Sequence, residues 1–269
     1  ENKAGRSGYS PACFNEWQPG ICQKPSIKCT DCLKQAFKPY DEQAIFSHLN
    51  GNQTVGIYPL LNDNTTHLLA ADFDKADWYE TIKAFVKTCD LLSIPYLLER
   101  SRSDNGGHVW IFFTEATPAA DARKLGIGLL NKAMESYPSL SFSCFDRLFP
   151  NQDIMPEGGF GNLIALPLQL LPRKLGNSAF IDIDGNICVD QWAKLASTGR
   201  VSTTQLGSLL KALSNQVQMT NEEQSDLLPW QKHAVKHTEK ISACPAQLTI
   251  VLADQLYIPI QQLPGKLTS

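Results

Sequence analysis

Two carboxylates, Asp72 and Asp74, end the apolar segment Leu68–Ala71, with only Phe73 between them. Residues i and i+2 of a β-strand lie on the same face, so the two acidic side chains are predicted to be neighbours. Ionised neighbours repel and raise each other's pKa unless a cation lies between them. Because Mg²⁺ and Mn²⁺ prefer carboxylate oxygens, the pair is a candidate divalent-metal site. The alternative is a strand that runs out into a solvated loop, where Asp is common.

A second group of chemically capable residues lies in "ERSRSDNGGHVWIFF", residues 99–113. Arg100 and Arg102 are predicted to share one face of a strand, and His108 follows the glycine pair that ends in Gly107. Arginine matches phosphate oxygens bidentately, so this hairpin suits a triphosphate. The alternative is a solvated strand face with an ordinary edge-strand histidine. Metal ligands beside phosphate-binding residues are typical of phosphoryl transfer, which favours the functional interpretation.

A third acid follows in "CFDRLFPNQDIMPEGGFGNLIALPLQ", which contains Asp146 within a predicted strand and Asp153 after it. Three carboxylates around two metal ions, with histidine and arginine near the phosphates, are sufficient for nucleotidyl transfer. A ligand on a strand is held more rigidly than one on a glycine-flanked loop. Asp146 is therefore preferred, and Asp153 is the alternative.

Four of the eight cysteines lie close together near the start of the chain and end in the short knuckle "CTDC"; they are Cys13, Cys22, Cys29 and Cys32. This spacing suits tetrahedral thiolate ligation of a structural Zn²⁺. Two disulfides are the alternative, but the other cysteines are scattered singly, which argues against an oxidising compartment. The same segment carries lysines that belong either to a solvated face or to a phosphate-binding surface, namely Lys24, Lys28, Lys34 and Lys38.

The composition predicts a globular chain rather than a membrane or fibrous one. It has 269 residues, of which 43% are hydrophobic and 19% charged, and a net charge of −3. No apolar run approaches the ~18–20 residues of a membrane span. No signal-peptide pattern is visible, so we expect a cytoplasmic protein without a membrane partner. The chain begins Glu1-Asn2 without Met, which indicates a piece of a longer protein. Contact with nucleic acid must come from local patches, because the net charge gives no overall attraction.

The elements that position these residues follow from periodicity and turn signals. Residues 54–61 and 67–74 are predicted to form a hairpin, and Asp77 with Glu80 a capping box that begins a helix. Strands at 94–103 and 108–113 precede a helix with Thr117 as N-cap and Pro118 at its first position. Two further strands follow, at "CFDRLFP" and "GNLIALPL". The order β-β-α-β-β-α-β-β indicates an α+β domain with helices on one face of a sheet.

The predicted organisation has three parts: a zinc knuckle at 1–40, a catalytic core at 41–189 and a mainly helical region at 190–269. In the last part, one face of an amphipathic helix carries Leu206, Leu209, Leu210 and Leu213. We expect this helix to pack against the core. The alternative is a small module that grips a template.

The motifs resemble those of the archaeo-eukaryotic primase superfamily. The similarity rests on Asp72-x-Asp74, on Ser103-x4-His108 with its "GGH", and on an Asp in a later strand. It is closest to the primase domain of TOTE conflict systems, relatives of the CRISPR-associated primase-polymerases, in "LLAADFD", "RSRSDNGGHVWIFF", "FDRLFPNQD" and "GFGNLIALPLQ". The resemblance covers about residues 10–185. Members of that branch also carry an N-terminal cysteine cluster, and "LTIVLADQLYIPIQQLP" resembles a segment that leads into a helicase module.

The resemblance implies a primase-type core, an RRM-like mixed sheet, and an enzyme that joins nucleoside triphosphates on a DNA template. Asp72, Asp74 and the third acid would hold two Mg²⁺ or Mn²⁺ ions, and His108 would contact the incoming triphosphate. Further contacts to nucleotide or template are expected from residues of the hairpin and the last strand, namely Arg100, Arg102, Ser103, Gly107, Asn162, Gln169, Arg173 and Lys174. A fused or associated helicase or nuclease and a mobile-element or defence context are also implied.

Two other classes of function remain open at this point. A metal-dependent phosphodiesterase would use the same acids, but phosphate-binding residues at Arg102 and His108 are surplus for hydrolysis. A non-catalytic nucleic-acid-binding module built around the zinc knuckle would not need Asp72 for any activity.

Overall fold

The computed structural model describes residues 12–27, 29–75, 77–156 and 161–217. Lys28, Cys244 and the segment that resembles the approach to a helicase lie outside the described residues. The strands of the described part are β1 (Gly56–Ile57), β2 (Thr65–Asp74), β3 (Leu97–Arg100), β4 (Gly106–Pro118), β5 (Phe145–Phe149), β6 (Ile164–Ala165) and β7 (Ala179–Phe180). The α-helices are α1 (Glu42–Leu49), α2 (Trp78–Leu91), α3 (Ala119–Ser136), α4 (Leu170–Arg173), α5 (Gln191–Ser197) and α6 (Thr203–Val217).

Five strands form one sheet in the order β5-β2-β4-β3-β7. Strands β2 and β3, joined by α2, both pair with β4, which lies between them, and β4 and β5, joined by α3, both pair with β2. This is the split β-α-β arrangement of a β-α-β-β-α-β unit. The predicted element order is confirmed, but the predicted mixed sheet is wrong. Each helical crossover skips one strand, so every strand pairing in this sheet is antiparallel.

Strand β2 is buried on both faces, as its unbroken apolar run requires. Leu69 and Phe73 pack on one side with α2, α3 and α6, whereas Leu68 and Ala70 belong to a second core on the other side. That second core includes residues of α1, β1, β6 and α5. The prediction of helices on one face only is therefore wrong, since α1 and α5 cover the face that the acids share.

The predicted hairpin between 54–61 and 67–74 is also wrong. Strand β1 pairs with β6, with Gly56 opposite Ala165, in a separate two-stranded sheet. Strand β2 already has β4 and β5 on its two edges, so no edge remains for residues 54–61. A Cβ at Gly56 would lie 2.4 Å from Leu163 Cδ2, so glycine allows this close pairing.

The helix starts differ in detail from the predicted ones. Asp77 stands at the N-cap of α2 with a φ of 64° and makes no side-chain cap hydrogen bond, so the capping box is wrong. Thr117 does not cap α3, because it pairs with Thr66 in the sheet and β4 continues to Pro118. Helix α3 begins one residue later than predicted, at Ala119.

Helix α6 packs on the core, as predicted for the apolar face of this region. Leu206, Leu209 and Leu213 are buried against α3, in the core that also contains Leu69 and Phe73. The contact is close, since a Cβ at Gly128 would lie 2.9 Å from Leu213 Cδ1. Within the described part of the chain, none of the helices has the length and apolar character that crossing a membrane requires.

Candidate active site

Three acids meet where β2 and β5 run side by side. Asp72 pairs with Arg147, but Phe73 pairs with Phe145, so Asp146 is the extra residue of a β-bulge. Bulges redirect a side chain that regular pairing would hold in place. Ligand oxygens of Asp72, Asp74 and Asp146 all lie within 4.8 Å of one another, the one group of three or more His, Cys, Asp or Glu ligand atoms this close among the described residues.

The three carboxylates of this acidic group repel one another, and two protein cations offset part of that repulsion, namely His108 beside Asp72 and Arg147 beside Asp146. Burial raises the pKa of Asp74, and the neighbouring carboxylates of Asp72 and Asp146 raise it further. The Asp72 Oδ1 is buried and accepts no hydrogen bond of regular geometry among the described residues, although His108 Nε2 lies 3.3 Å away as an ion-pair partner. Buried acceptors are rarely left without a well-placed donor or ligand, so Asp72 Oδ1 is expected to bind one. Oxygen ligands of this kind and spacing fit a divalent cation.

Glycine keeps space beside the acids. A Cβ at Gly106 would lie 2.5 Å from Asp74 Oδ1 and 2.5 Å from the Phe73 carbonyl oxygen. The neighbouring Gly107 serves packing instead, because its Cβ would lie 2.6 Å from Trp78 Cζ3 of α2. The glycine pair thus allows β4 to approach both the acidic group and α2.

Gly107→Ala is expected to destabilise the protein by about 1–3 kcal/mol, the usual cost of overpacking a core. The added methyl group would also lie 2.9 Å from the Glu99 carbonyl oxygen, which is backbone and cannot move aside easily. Gly207→Ala in α6 is the matched control, since nothing lies within 4 Å of its Cβ, and it should stabilise by roughly 0.4–1 kcal/mol. Urea unfolding measures both; equal stability of the two variants would contradict the packing argument.

His108 lies between two carboxylates on the face that carries Asp72. Its Nδ1 is 2.8 Å from Glu99 Oε2, and its Nε2 is 3.3 Å from Asp72 Oδ1. Burial alone would lower the pKa of His108, but Glu99 and Asp72 more than offset this and raise it to about 10. The raised pKa favours the imidazolium form of His108, in which both ring nitrogens carry an N–H.

Glu99 was not among the residues singled out in the sequence. It is only 2% exposed, and its Oε2 also accepts a hydrogen bond of 2.8 Å from Trp110 Nε1, while Ser178 Oγ lies 3.5 Å from Oε1. Register explains the contact, because Glu99 pairs directly with His108 across β3 and β4. A carboxylate inside the apolar run "YLLER" was the available signal, since a Glu buried this fully requires a partner.

The two arginines do not share a strand face. Strand β3 ends at Arg100, and Arg102 lies in the following turn. Arg100 alternates with Glu99 and therefore points to the opposite face, where its Nη2 donates to the Gly185 carbonyl oxygen (3.1 Å). The guanidinium of Arg102 donates to Thr54 Oγ1 (2.8 Å), beside β1. Ser103 lies in the same turn, and its Oγ is 3.0 Å from Ser101 Oγ.

The two candidates for the third acid are separated clearly. Asp146 lies with Asp72 and Asp74, and its Oδ2 also contacts Arg147 Nε at 2.6 Å. Asp153 forms an ion pair with Arg123 of α3 instead. The structure therefore places the preferred candidate, Asp146, beside Asp72 and Asp74, and places Asp153 elsewhere.

The remaining residues that were predicted to contact nucleotide or template lie next to β6 or in and beside α4. Asn162 precedes β6, and Gln169 is buried and caps α4 by accepting from the Leu171 amide (2.9 Å). Burial lowers the pKa of Arg173, at the end of α4, and Lys174 follows it exposed.

The four clustered cysteines line a single cavity. They are free thiols, as are the three other cysteines of the described part, so no disulfide is formed there. The Ala36 N–H donates to Cys13 Sγ (3.4 Å), an interaction suited to a thiolate. Among the described residues, no three of these sulfurs lie within 4.8 Å of one another, in contrast to the carboxylate oxygens of the acidic group.

Comparison with protein families relates the chain to a known domain. The sequence profile described as "TOTE conflict system, Archaeo-Eukaryotic Primase domain" matches residues 1–209. No curated protein matches the sequence.

Proposed function

Because the chain belongs to the archaeo-eukaryotic primase family of TOTE conflict systems, we propose that it is a primase-polymerase that joins nucleoside triphosphates to a 3′-hydroxyl on a DNA template. A primase-type domain supports a nucleotidyltransferase function in general. The observation that carries the specific proposal is the convergence of Asp72, Asp74 and Asp146 within 4.8 Å on one sheet face. A conflict-system context follows from the family, and a fused or associated helicase or nuclease stays a prediction.

The three acids would hold Mg²⁺ or Mn²⁺, two ions in the full site. When bound, the ions would supply Lewis-acid activation of the attacking hydroxyl and neutralisation of the triphosphate charge. Asp72 and Asp74 suit this role because their carboxylates are part-buried and otherwise repel each other. The bulge at Asp146 brings the third carboxylate to the same place from β5.

His108 would bind the triphosphate as an imidazolium. Its Nδ1–H is directed to Glu99, which leaves the Nε2–H on the side of the acids. A charged N–H donor makes a stronger bond to a phosphate oxygen than a neutral one. Glu99 acts as a positioning residue, because its carboxylate fixes the orientation of the ring while Trp110 fixes that carboxylate.

The test of this function separates synthesis from hydrolysis. The protein is incubated with a primed template, Mn²⁺ and labelled nucleoside triphosphates, and the products are separated by length. Extended primers support the proposal, whereas a shortened template would indicate a phosphodiesterase that uses the same acids. Omitting the primer then shows whether the enzyme also starts strands.

The N-terminal cysteines would hold a structural Zn²⁺. Support comes from the four thiols that line one cavity and from the Ala36 N–H directed at Cys13 Sγ. The segment has few buried apolar residues of its own, so a metal would contribute directly to its folding.

Purified protein is expected to contain about one Zn per chain, the stoichiometry of a four-ligand site. Cys29→Ser and Cys32→Ser should each lose most of that metal, while Cys89→Ser, which changes a buried core thiol, should keep it. Metal analysis by mass spectrometry under reducing conditions measures this. Absence of zinc from the parent protein would refute the assignment.

A further inference from the structure

The cysteine-rich segment has an inner and an outer side, set by a short antiparallel pairing. Cys13 pairs with Phe37, and the flanking bonds run from Phe14 N to Ala36 O (2.8 Å) and from Lys38 N to Ala12 O (2.9 Å). Successive residues of extended chains point to opposite faces. Cys13 and Phe37 line the cysteine cavity, so Phe14 and Lys38 are on the outer side.

In the described part of this segment, the rings of Phe14 and Trp17 are exposed, and each lies near a lysine. Phe14 is 58% exposed and Trp17 is 67% exposed. Lys38 Nζ lies 5.6 Å from the centre of the Phe14 ring, and Lys24 Nζ lies 5.7 Å from the centre of the Trp17 ring. Neither ring lines the cavity, so both are open to a partner. We call Phe14, Trp17 and Lys38 the aromatic–lysine surface. Lys24 is left out of it, because it lines the cysteine cavity and its side chain is only 16% exposed.

The charge of the chain is divided unevenly, and the division favours an anionic partner here. Residues 1–40 contain six Lys and Arg and three Asp and Glu, whereas residues 41–269 contain 18 and 24. The segment that carries the surface is thus net positive at +3, although the rest of the chain is net negative at −6. A net positive segment can attract nucleic acid even though the overall charge of the chain is negative.

We propose that the aromatic–lysine surface binds single-stranded nucleic acid. Bases would stack on Phe14 and Trp17, and Lys38 beside the Phe14 ring would contact phosphates. This combination of exposed aromatic rings and cations is typical of sequence-tolerant single-strand binding, because every base has a π-face. In a duplex the bases are already stacked on each other, so they are not available to stack on Phe14 and Trp17. The inference rests on the proposed function only for the source of the strand, which would be the template.

The test measures binding of a fluorescein-labelled oligodeoxythymidine by anisotropy, with the full chain and without nucleotides. Phe14→Ala with Trp17→Ala is expected to weaken binding roughly 10-fold or more. Both rings are exposed, so the double variant should melt like the parent. Leu33→Ala is the matched control, because Leu33 is a fully exposed apolar residue of the same segment. It should bind the oligonucleotide like the parent.

Two further readouts identify the mode of binding. Stacking on Trp17 should quench its fluorescence, and Trp17→Phe should remove most of that quenching while keeping most of the affinity. Lys38→Ala should reduce the slope of log affinity against log salt by about one. Lys24 suits this readout less well, because it also pairs with Glu16 at 2.8 Å.

Equal affinity of the parent and the Phe14→Ala/Trp17→Ala variant would overturn the inference, as would equal binding of a duplex of the same length. An oligouridine arm shows whether the surface distinguishes RNA from DNA. Failure of the proposed function is separable, because binding through these rings does not require nucleotide incorporation. An enzyme that extends primers but ignores Phe14 and Trp17 would leave the proposed function intact and refute only this surface.

Discussion

Asp74→Asn is expected to lose nucleotidyl transfer by roughly 100-fold or more while folding at least as stably as the parent. Burial and the carboxylates of Asp72 and Asp146 raise the pKa of Asp74, so its ionised form is disfavoured in the folded protein. The stability that protonated Asp74 contributes is therefore lost as the pH rises through its folded-state pKa. At neutral pH the charge of Asp74 opposes folding. Removing one of two like charges on a strand face should relieve roughly 0.2–1 kcal/mol.

The measurement pairs the melting temperature in chelator with the primer-extension rate in Mn²⁺. Asp72→Asn and Asp146→Asn should behave like Asp74→Asn in extension. Asp153→Asn is the matched control, since Asp153 pairs with Arg123 and should not be needed for transfer. A variant at Asp74 that melts clearly earlier yet extends primers at the parental rate would show that the acids serve folding.

His108→Ala is expected to weaken nucleotide binding about 10- to 100-fold, the range of a lost hydrogen bond to a charged group, with template affinity nearly unchanged. Glu99→Gln should reproduce a large part of this loss. The amide can still accept from Trp110 and His108, but it lacks the charge that holds the imidazolium. If Glu99 acts through His108, the double variant should bind nucleotide no more weakly than His108→Ala alone.

The pH dependence separates this role from simple packing. A histidine whose pKa is raised to about 10 stabilises the fold fully below its ordinary value of 6.5, and that stabilisation declines as the pH rises toward 10. The difference in melting temperature between the parent and Glu99→Gln should therefore shrink from pH 7 to pH 9. Glu115→Gln, an exposed glutamate that bonds Thr203 Oγ1 (3.0 Å), is the control and should show neither effect. Additive losses in Glu99→Gln and His108→Ala would contradict the positioning role.

Local rules were enough to predict the neighbouring acids of β2 and most of the element order. Asp72 and Asp74 share a face because of strand alternation alone, and the apolar spacing of α2 and α3 needs no tertiary information. The preference for Asp146 over Asp153 rested on a strand being more rigid than a loop. The structure adds the bulge, which the sequence does not reveal because it depends on the pairing of β5 with β2.

Long-range register accounts for what was missed. The Glu99–His108 contact requires knowing that these residues pair across β3 and β4. The error about Arg100 and Arg102 has a similar origin, because the strand ends at Arg100 and the chain turns before Arg102. Residues 54–61 look like a hairpin partner for β2. They do not pair with it, because β4 and β5 already pair with the two edges of β2.

Templated single-nucleotide incorporation tests the central claim most directly. The protein is given a primed template, Mn²⁺ and one nucleoside triphosphate at a time, beside Asp74→Asn prepared in the same way. We predict that the parent adds only the nucleotide complementary to the next template base, and that the variant adds almost none. Equal addition by both proteins, or no addition by the parent under any of the four nucleotides, would contradict the account.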